Sequence, residues 1–210
     1  VHHVQTLTQR LALQHRCQFV QAAAEDLSAL PDASVDVVTT RSVLIYVEAK
    51  AQAFAEFYRV LKPQGRLSIF EPINRFVTAH ASTRWWGYDV TPVQELAEKI
   101  SAVYARLQPQ DTDPMLNFDE RDLLQWAEQA GFTDIDLTLE VDIKPYARPR
   151  NWETLYGTAG NPKIPTLAEA IQQALTGEEA EQFIAHVRPL ADARQGNQRF
   201  AQAYLWAVKH

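Results

Sequence analysis

One cysteine, Cys17, is all that this chain of 210 residues contains. A single thiol can form neither an internal disulfide nor a zinc site built from several cysteines, and we expect no metal. The sequence also lacks any apolar run near the roughly 20 residues that a membrane-spanning helix requires. These absences favour a protein of the reducing cytoplasm that does not act in a membrane.

Positive charge is also scarce. The chain has 20 Lys and Arg residues against 26 Asp and Glu residues, which gives a net charge of −6. Because nucleic-acid binding depends on clustered Lys and Arg, this balance argues against DNA or RNA as a partner. A content of 46% hydrophobic and 22% charged residues is typical of a globular protein, and the length suits one domain.

Residues 19–74 alternate strand and helix patterns in the manner of a parallel α/β sheet. The strands are predicted at residues 17–21, 35–40 and 66–70 from short runs rich in β-branched and apolar residues. Ala51, Phe54 and Tyr58 share one face of a helix predicted over residues 50–61. Pro63 ends this helix because it pushes the preceding residue out of helical geometry.

The remaining chain predicts mostly helices. These are expected at residues 1–15, 92–107 and 120–129, with a strand at 134–141, a loop at 144–165 and a closing strand at 200–208. Asp119 is a good N-cap and Gly131 fits a left-handed helix end. Capping boxes predict two further helices after Thr166 and Thr176, the second ending at Pro189.

Three segments in this order resemble the middle of a class I S-adenosylmethionine (SAM)-dependent methyltransferase of the methyltransferase-domain type: AEDLSALPDASVDVV, RSVLIYV and EFYRVLKPQGRLSIFEPIN. The resemblance implies an α/β fold with a Rossmann-like sheet and helices on both faces, SAM as cofactor and a small-molecule acceptor. It also implies one domain over residues 1–210, with a lid at 72–118 and a substrate-side insert at 142–198.

The resemblance fails at the front of the chain. The family begins with a strand and a glycine-rich turn, followed by a second strand that ends in an acidic residue, and none of the seven glycines here follows an N-terminal strand. We therefore expect a domain that is incomplete at its N-terminus and lacks the first two strands and this turn. Without them, the strand at 17–21 would leave its backbone groups unpaired.

The resemblance places the adenine of SAM beside Ala24, Glu25 and Asp26, where a backbone N–H and an acidic side chain hold the ring. This sequence has Ala23 where the family usually has aspartate. That departure leaves Glu25 or Asp26 to accept the exocyclic amine, or leaves the contact to the backbone. The alternative is that both acids only cap a short helix.

Arg41 and Ser42 follow the strand at 35–40, where the resemblance implies contact with the methionine part of SAM. Ligands of open α/β sheets bind beyond the carboxyl ends of the strands. The alternative for Arg41 is an ion pair with Glu25 or Asp26.

Two residues are candidates for a catalytic role. Tyr46 lines the transfer site or packs against the following helix, and His80 is a base in the lid or an ordinary surface or core residue. The substrate candidates are Glu71, Asn74, Trp85 and Trp86. Turn formation is the alternative for Glu71 and Asn74, and packing of the lid is the alternative for the two tryptophans.

The leading prediction is therefore methyl transfer from SAM to an oxygen, nitrogen or carbon nucleophile by in-line displacement, with alignment as the main catalytic factor. A non-catalytic binding or assembly protein with the same fold is the alternative. A nicotinamide-dependent oxidoreductase is a third possibility, although it does not explain EFYRVLKPQG.

Overall fold

The computed structural model describes residues 2–78, 83–146 and 151–210. The helices are α1 (His2–Arg10), α2 (Lys50–Val60), α3 (Asn74–Thr78), α4 (Gln94–Leu107), α5 (Glu120–Ala130), α6 (Trp152–Gly157), α7 (Leu167–Ala174) and α8 (Gly177–Asp192). The strands are β1 (Val35–Arg41), β2 (Leu61–Pro72), β3 (Arg84–Trp85), β4 (Tyr88–Asp89), β5 (Thr133–Pro145) and β6 (Asn197–Val208). Short 3-10 turns occupy Gln14–Arg16, Leu44–Tyr46 and Thr91–Val93.

Four strands form one mixed sheet in the order β1-β2-β6-β5. Strand β1 is parallel to β2, and β6 is antiparallel to both of its neighbours. Strand β2 ends at Pro72 opposite Gln202, whereas β5 and β6 stay paired as far as Pro145 and Asn197. The β5–β6 ribbon therefore projects beyond the carboxyl end of β2. This mixed sheet with packed helices confirms the predicted α/β fold.

The main core lies on one face of the sheet. Helices α2 and α5 cover that face, and its fully buried side chains include Phe54, Leu67, Leu123 and Ala203. The opposite face carries Val37, Tyr204 and Trp206, which are 58%, 42% and 47% exposed. The sequence predicts helices on both faces of the sheet. In the part of the chain that the structure describes, helices cover only one face.

A second core gathers the β3–β4 hairpin with α4, α6, α7 and α8. Its buried members include Trp85, Tyr88, Ile100, Trp152, Leu167 and Phe183. The hairpin joins the first residue of β6, because the Asn197 N–H donates to the Gly87 carbonyl at 3.1 Å. The helices of the two predicted inserts, over residues 72–118 and 142–198, therefore pack against each other beside the projecting β5–β6 ribbon.

Several predictions from local patterns are confirmed. Strands β1 and β2 include the predicted segments, and α2 ends at Val60, one residue short of its predicted end and before Pro63. Asp119 forms a capping box, as do Thr166 and Thr176. Gly131 adopts a φ of 98° at the end of α5. These features depend on residues only a few positions apart, which is why the sequence predicts them.

Other predictions are wrong. Residues 17–21 form no strand, which agrees with the lack of any neighbouring strand to pair with their backbone. The first helix ends at Arg10, well before residue 15. Within the predicted loop, Asn151 caps α6 by accepting the Thr154 N–H. Helix α8 continues past Pro189 to Asp192, although a proline inside a helix removes one intrahelical hydrogen bond.

Candidate functional site

The parallel pair β1–β2 brings two site segments to one edge of the sheet. Arg41 lies opposite Phe70 in the register, so the residues that follow each strand are neighbours. Ser42 adopts a φ of 53°, which is unusual for a residue other than glycine, and its N–H donates to the Phe70 carbonyl at 2.9 Å. The chain then turns through Leu44–Tyr46 at this carboxyl edge, where open α/β sheets bind ligands.

The Glu71 side chain lies beneath this turn and is completely buried. Its Oε1 accepts the N–H groups of Val43 and Leu44 at 2.9 and 3.0 Å, and its Oε2 accepts that of Ile45 at 3.4 Å. Burial raises the pKa of Glu71, while the three N–H groups and Lys50 act in the opposite direction. The carboxylate is thus engaged by backbone on both oxygens.

Lys50 holds the other end of the same segment. Lys50 is 3% exposed, and its ammonium donates to the Val47 carbonyl at 2.8 Å and to Asn117 Oδ1 at 2.9 Å. The ammonium also lies 4.9 Å from the centre of the Phe118 ring. Burial lowers the pKa of Lys50, with nearby acids including Glu71 opposing that shift.

The acidic turn is arranged separately, beside α2. Asp26 Oδ1 accepts the Ser28 N–H at 3.1 Å, and its hydrogen bonds with Ser28 lower the pKa of Asp26. Glu25 is partly exposed and makes no hydrogen bond or ion pair with any residue that the structure describes. The Leu27 N–H donates to Glu56 Oε2 at 2.7 Å, which attaches the turn to the helix.

An ion-pair cluster that sequence reasoning missed completes this attachment. Arg59 binds Glu56 through Nε and a terminal nitrogen at 2.7 and 2.8 Å. It also donates to Asp32 at 2.6 Å and to the carbonyls of Leu27 and Leu30 at 2.9 Å. These partners raise the pKa of Arg59. The available signal was the i, i+3 spacing of Glu56 and Arg59 on one helix.

Comparison with known proteins finds a family similarity in the N-terminal part of the chain. Residues 2–69 match the family model of the methyltransferase domain. The chain is 31% identical over 127 residues to the ubiquinone/menaquinone biosynthesis C-methyltransferase UbiE of Cronobacter sakazakii, a match that covers 57% of this chain and 47% of that protein. Over residues 2–69 the chain is thus similar to the methyltransferase-domain family. It spans about half the length of this curated relative.

One solved structure agrees on the fold. The YcgJ protein of Bacillus subtilis superposes with a TM-score of 0.51, at 14% identity, over 98% of this chain and 76% of that chain. The chain also has 16% identity to the Haemonchus contortus phosphoethanolamine N-methyltransferase 2, solved with S-adenosylhomocysteine, over 90% of this chain and 36% of that chain, with a TM-score of 0.41.

Arg41 does not pair with the acidic turn. Its guanidinium lies 5.0 Å from the centre of the Phe70 ring, so the alternative of an ion pair with Glu25 or Asp26 is wrong. Among the described residues, no hydrogen bond or ion pair joins the turn to Arg41 or Ser42. The structure therefore brings Arg41, Ser42 and Glu71 together, and holds the turn by α2 through Arg59.

The other predicted site residues fall into four groups. Tyr46 is 64% exposed at the carboxyl edge, so the alternative that it packs against the following helix is not seen. The Asn74 side chain donates to the Met115 carbonyl at 3.1 Å. Trp85 is 5% exposed and stacks on Trp86, with ring centres 4.4 Å apart, inside the second core. His80 lies outside the described residues.

Three further observations concern a groove outside the candidate site, metal binding and membrane-spanning helices. An open groove of about 370 Å³ lies beside α1, lined by Gln5, Thr6, Thr8, Gln9, Gln14, Cys17 and Phe19, and includes none of the predicted site residues. Over residues 2–78, 83–146 and 151–210, no group of three or more His, Cys, Asp and Glu side chains is placed to hold a metal ion. None of the helices in those ranges has the length and apolar character needed to cross a bilayer.

Proposed function

We propose that this protein transfers a methyl group from SAM to a small-molecule acceptor in the cytoplasm, with no nucleic acid as partner. The observation that carries the proposal is the match of residues 2–69 to the methyltransferase domain, together with the solvent-facing turn at Ser42–Tyr46 on the carboxyl edge of the sheet. When bound, SAM supplies a methyl group already activated by its sulfonium. The chain's own residues then need to align the nucleophile and exclude water.

The acidic turn fits the adenine of SAM. The Glu25 carboxylate is free to accept the exocyclic amine, and the backbone of Ala24 is available for a ring nitrogen. Asp26 contributes by keeping the turn closed through its hydrogen bond to Ser28. Arg41 and Ser42 face the methionine end from the carboxyl end of β1.

The acceptor is proposed to bind between this edge and the second core. Residues 72–118 and 142–198 would form the lid and the substrate-side insert of one domain. Trp85 and Trp86 build that part by packing, since their rings are committed to the second core. Tyr46 and His80 remain the candidates for direct contact with the reacting groups. The accepting atom is an oxygen, nitrogen or carbon nucleophile.

Calorimetric titration with SAM tests the cofactor proposal. Glu25→Gln removes the charge that accepts the amine, and a lost charge-assisted hydrogen bond should weaken SAM binding about tenfold or more. Asp26→Asn is the matched control, because asparagine keeps the side-chain oxygen that accepts the Ser28 N–H and should bind SAM within about threefold of the unchanged chain. Equal losses in both variants would contradict the assignment of Glu25.

The titration should include both the 210-residue chain and the protein purified from its natural source. The second candidate function is a non-catalytic binding or assembly protein with the same fold. SAM binding by the natural protein, followed by methylation of small molecules in an extract with labelled SAM, supports the enzyme. Failure of the natural protein to bind SAM supports the second candidate.

A further inference from the structure

The segment from Ser42 to Lys50 is held between two buried side chains of opposite charge. Glu71 binds the amide groups of Val43, Leu44 and Ile45. Lys50 binds the carbonyl of Val47. Both side chains are nearly inaccessible, at 0% and 3% exposed. A buried carboxylate and a buried ammonium are costly to keep in a protein interior, so their placement calls for a reason beyond stability.

The hydrogen bonds show what the pair does. The N–H groups of three successive residues point inward to one carboxylate, which imposes one backbone path on the turn. That path includes the left-handed Ser42, a conformation that a serine adopts only when its surroundings hold it there. On the outer side of the same turn, the Tyr46 side chain is 64% exposed. The inner bonds thus determine where the outer side chains stand.

Lys50 extends the restraint to a second segment. Asn117 accepts from the Lys50 ammonium, and Asn74 donates to the carbonyl of Met115. The loop that precedes α5 is thereby bound both to the start of α2 and to the residues after β2. None of these bonds reaches the solvent-facing side of the edge.

We propose that Glu71 and Lys50 are positioning residues for the transfer site, which act by fixing the turn from Ser42 to Tyr46 and touch neither cofactor nor acceptor. The assignment to a transfer site rests on the proposed function, whereas the restraint on the turn is tested without SAM. It assigns to Glu71 an indirect role in place of the direct substrate contact predicted from the sequence.

Amide hydrogen exchange of the 210-residue chain, read by mass spectrometry, tests the restraint. Glu71→Leu removes both acceptors, and exchange at Val43, Leu44 and Ile45 should accelerate about tenfold or more, with the centres of α2 and β2 changed by less than about twofold. Glu71→Gln keeps one oxygen, so it should release mainly Ile45. The Gln variant also keeps the test decisive if the Leu variant does not fold.

A matched control uses Glu56, another glutamate whose carboxylate accepts a backbone N–H. Glu56→Leu should accelerate exchange at Leu27, the partner of its carboxylate, and leave Val43, Leu44 and Ile45 unchanged. Lys50→Met should accelerate exchange at the far end of the turn and in residues 113–118. Unchanged exchange at residues 43–45 in both Glu71 variants would overturn the proposal.

SAM titration of the same variants separates positioning from contact. If Glu71 positions the turn, the loss of SAM affinity follows the exchange rate and is small for Gln and large for Leu. If Glu71 touches the ligand, Gln loses affinity as strongly as Leu while its Val43 and Leu44 amides stay protected, and the inference fails. Should the chain and its natural source protein bind no SAM, the proposed function fails, and the exchange experiment still decides whether Glu71 fixes the turn.

Discussion

Gly87 connects the second core to the sheet, and its replacement by alanine is expected to destabilise the protein strongly. Gly87 lies in the turn between β3 and β4 with a φ of 84°. A Cβ built on it would stand 1.9 Å from the Asn197 carbonyl oxygen, far inside any tolerable contact. Since the obstacle is backbone, the hairpin has to move away from the first residue of β6.

The expected size follows from two contributions. An alanine held at positive φ costs roughly 1–2 kcal/mol, and relieving an overpacked contact typically costs about 1–3 kcal/mol. Alanine also restricts the unfolded chain, which returns about 0.4–1 kcal/mol. Gly87→Ala should therefore lower the free energy of unfolding by about 2–4 kcal/mol.

Urea denaturation followed by tryptophan fluorescence measures this loss, because Trp85 and Trp86 adjoin the substituted residue. Gly157→Ala is the matched control: Gly157 ends α6, and no atom lies within 4 Å of its added Cβ. That change should be neutral or stabilise by up to about 1 kcal/mol. The reasoning is refuted if Gly87→Ala changes the unfolding free energy by less than about 0.5 kcal/mol.

Two further predictions concern titrating groups of the second core. Burial raises the pKa of Tyr104 to about 12, and its buried hydroxyl has no hydrogen-bond partner among the described residues. Because the unfolded chain loses this proton at a lower pH than the folded protein, the free energy of unfolding should fall as pH rises from about 10 through 12. Tyr104→Phe should remove that loss and stabilise by about 1 kcal/mol at neutral pH, and an unchanged alkaline denaturation profile would speak against it. The ion pair with Lys99 lowers the pKa of Glu179 to about 2. The contribution of Glu179 to the free energy of unfolding is therefore present above about pH 4.5 and is lost as pH falls through 2. Glu179→Gln keeps the cap at Thr176 and should make the free energy of unfolding fall less steeply as pH is lowered. A decrease at acid pH as steep as that of the wild type would contradict this prediction.

Predictions that depend on near neighbours in the chain are confirmed. The β1–α2–β2 unit follows from periodicity and from a proline that ends a helix. The caps at Asp119, Thr166 and Thr176 involve partners three residues away. The similarity to the methyltransferase-domain family lies in the same part of the chain, because the matched residues 2–69 include most of this unit. Local patterns carry this information because capping and amphipathic periodicity act over one or two turns.

The roles of the polar side chains could not be predicted in the same way. Glu71 and the amide groups that it binds lie 26 to 28 residues apart in the chain. Arg59 reaches carbonyls 29 and 32 residues away. Sequence spacing identifies Glu71 as a residue at the carboxyl edge, but it does not say whether the carboxylate points to solvent or to the backbone.

The sequence by itself thus determined the fold class, the family resemblance and the segment that forms the carboxyl edge. Only the tertiary structure decided that Glu71 faces inward, that Trp85 and Trp86 fill a second core, and that residues 17–21 form no strand. The physical reason is the same in each case. A strand, a buried charge or a core aromatic ring is stable only with partners, and those partners come from distant parts of the chain.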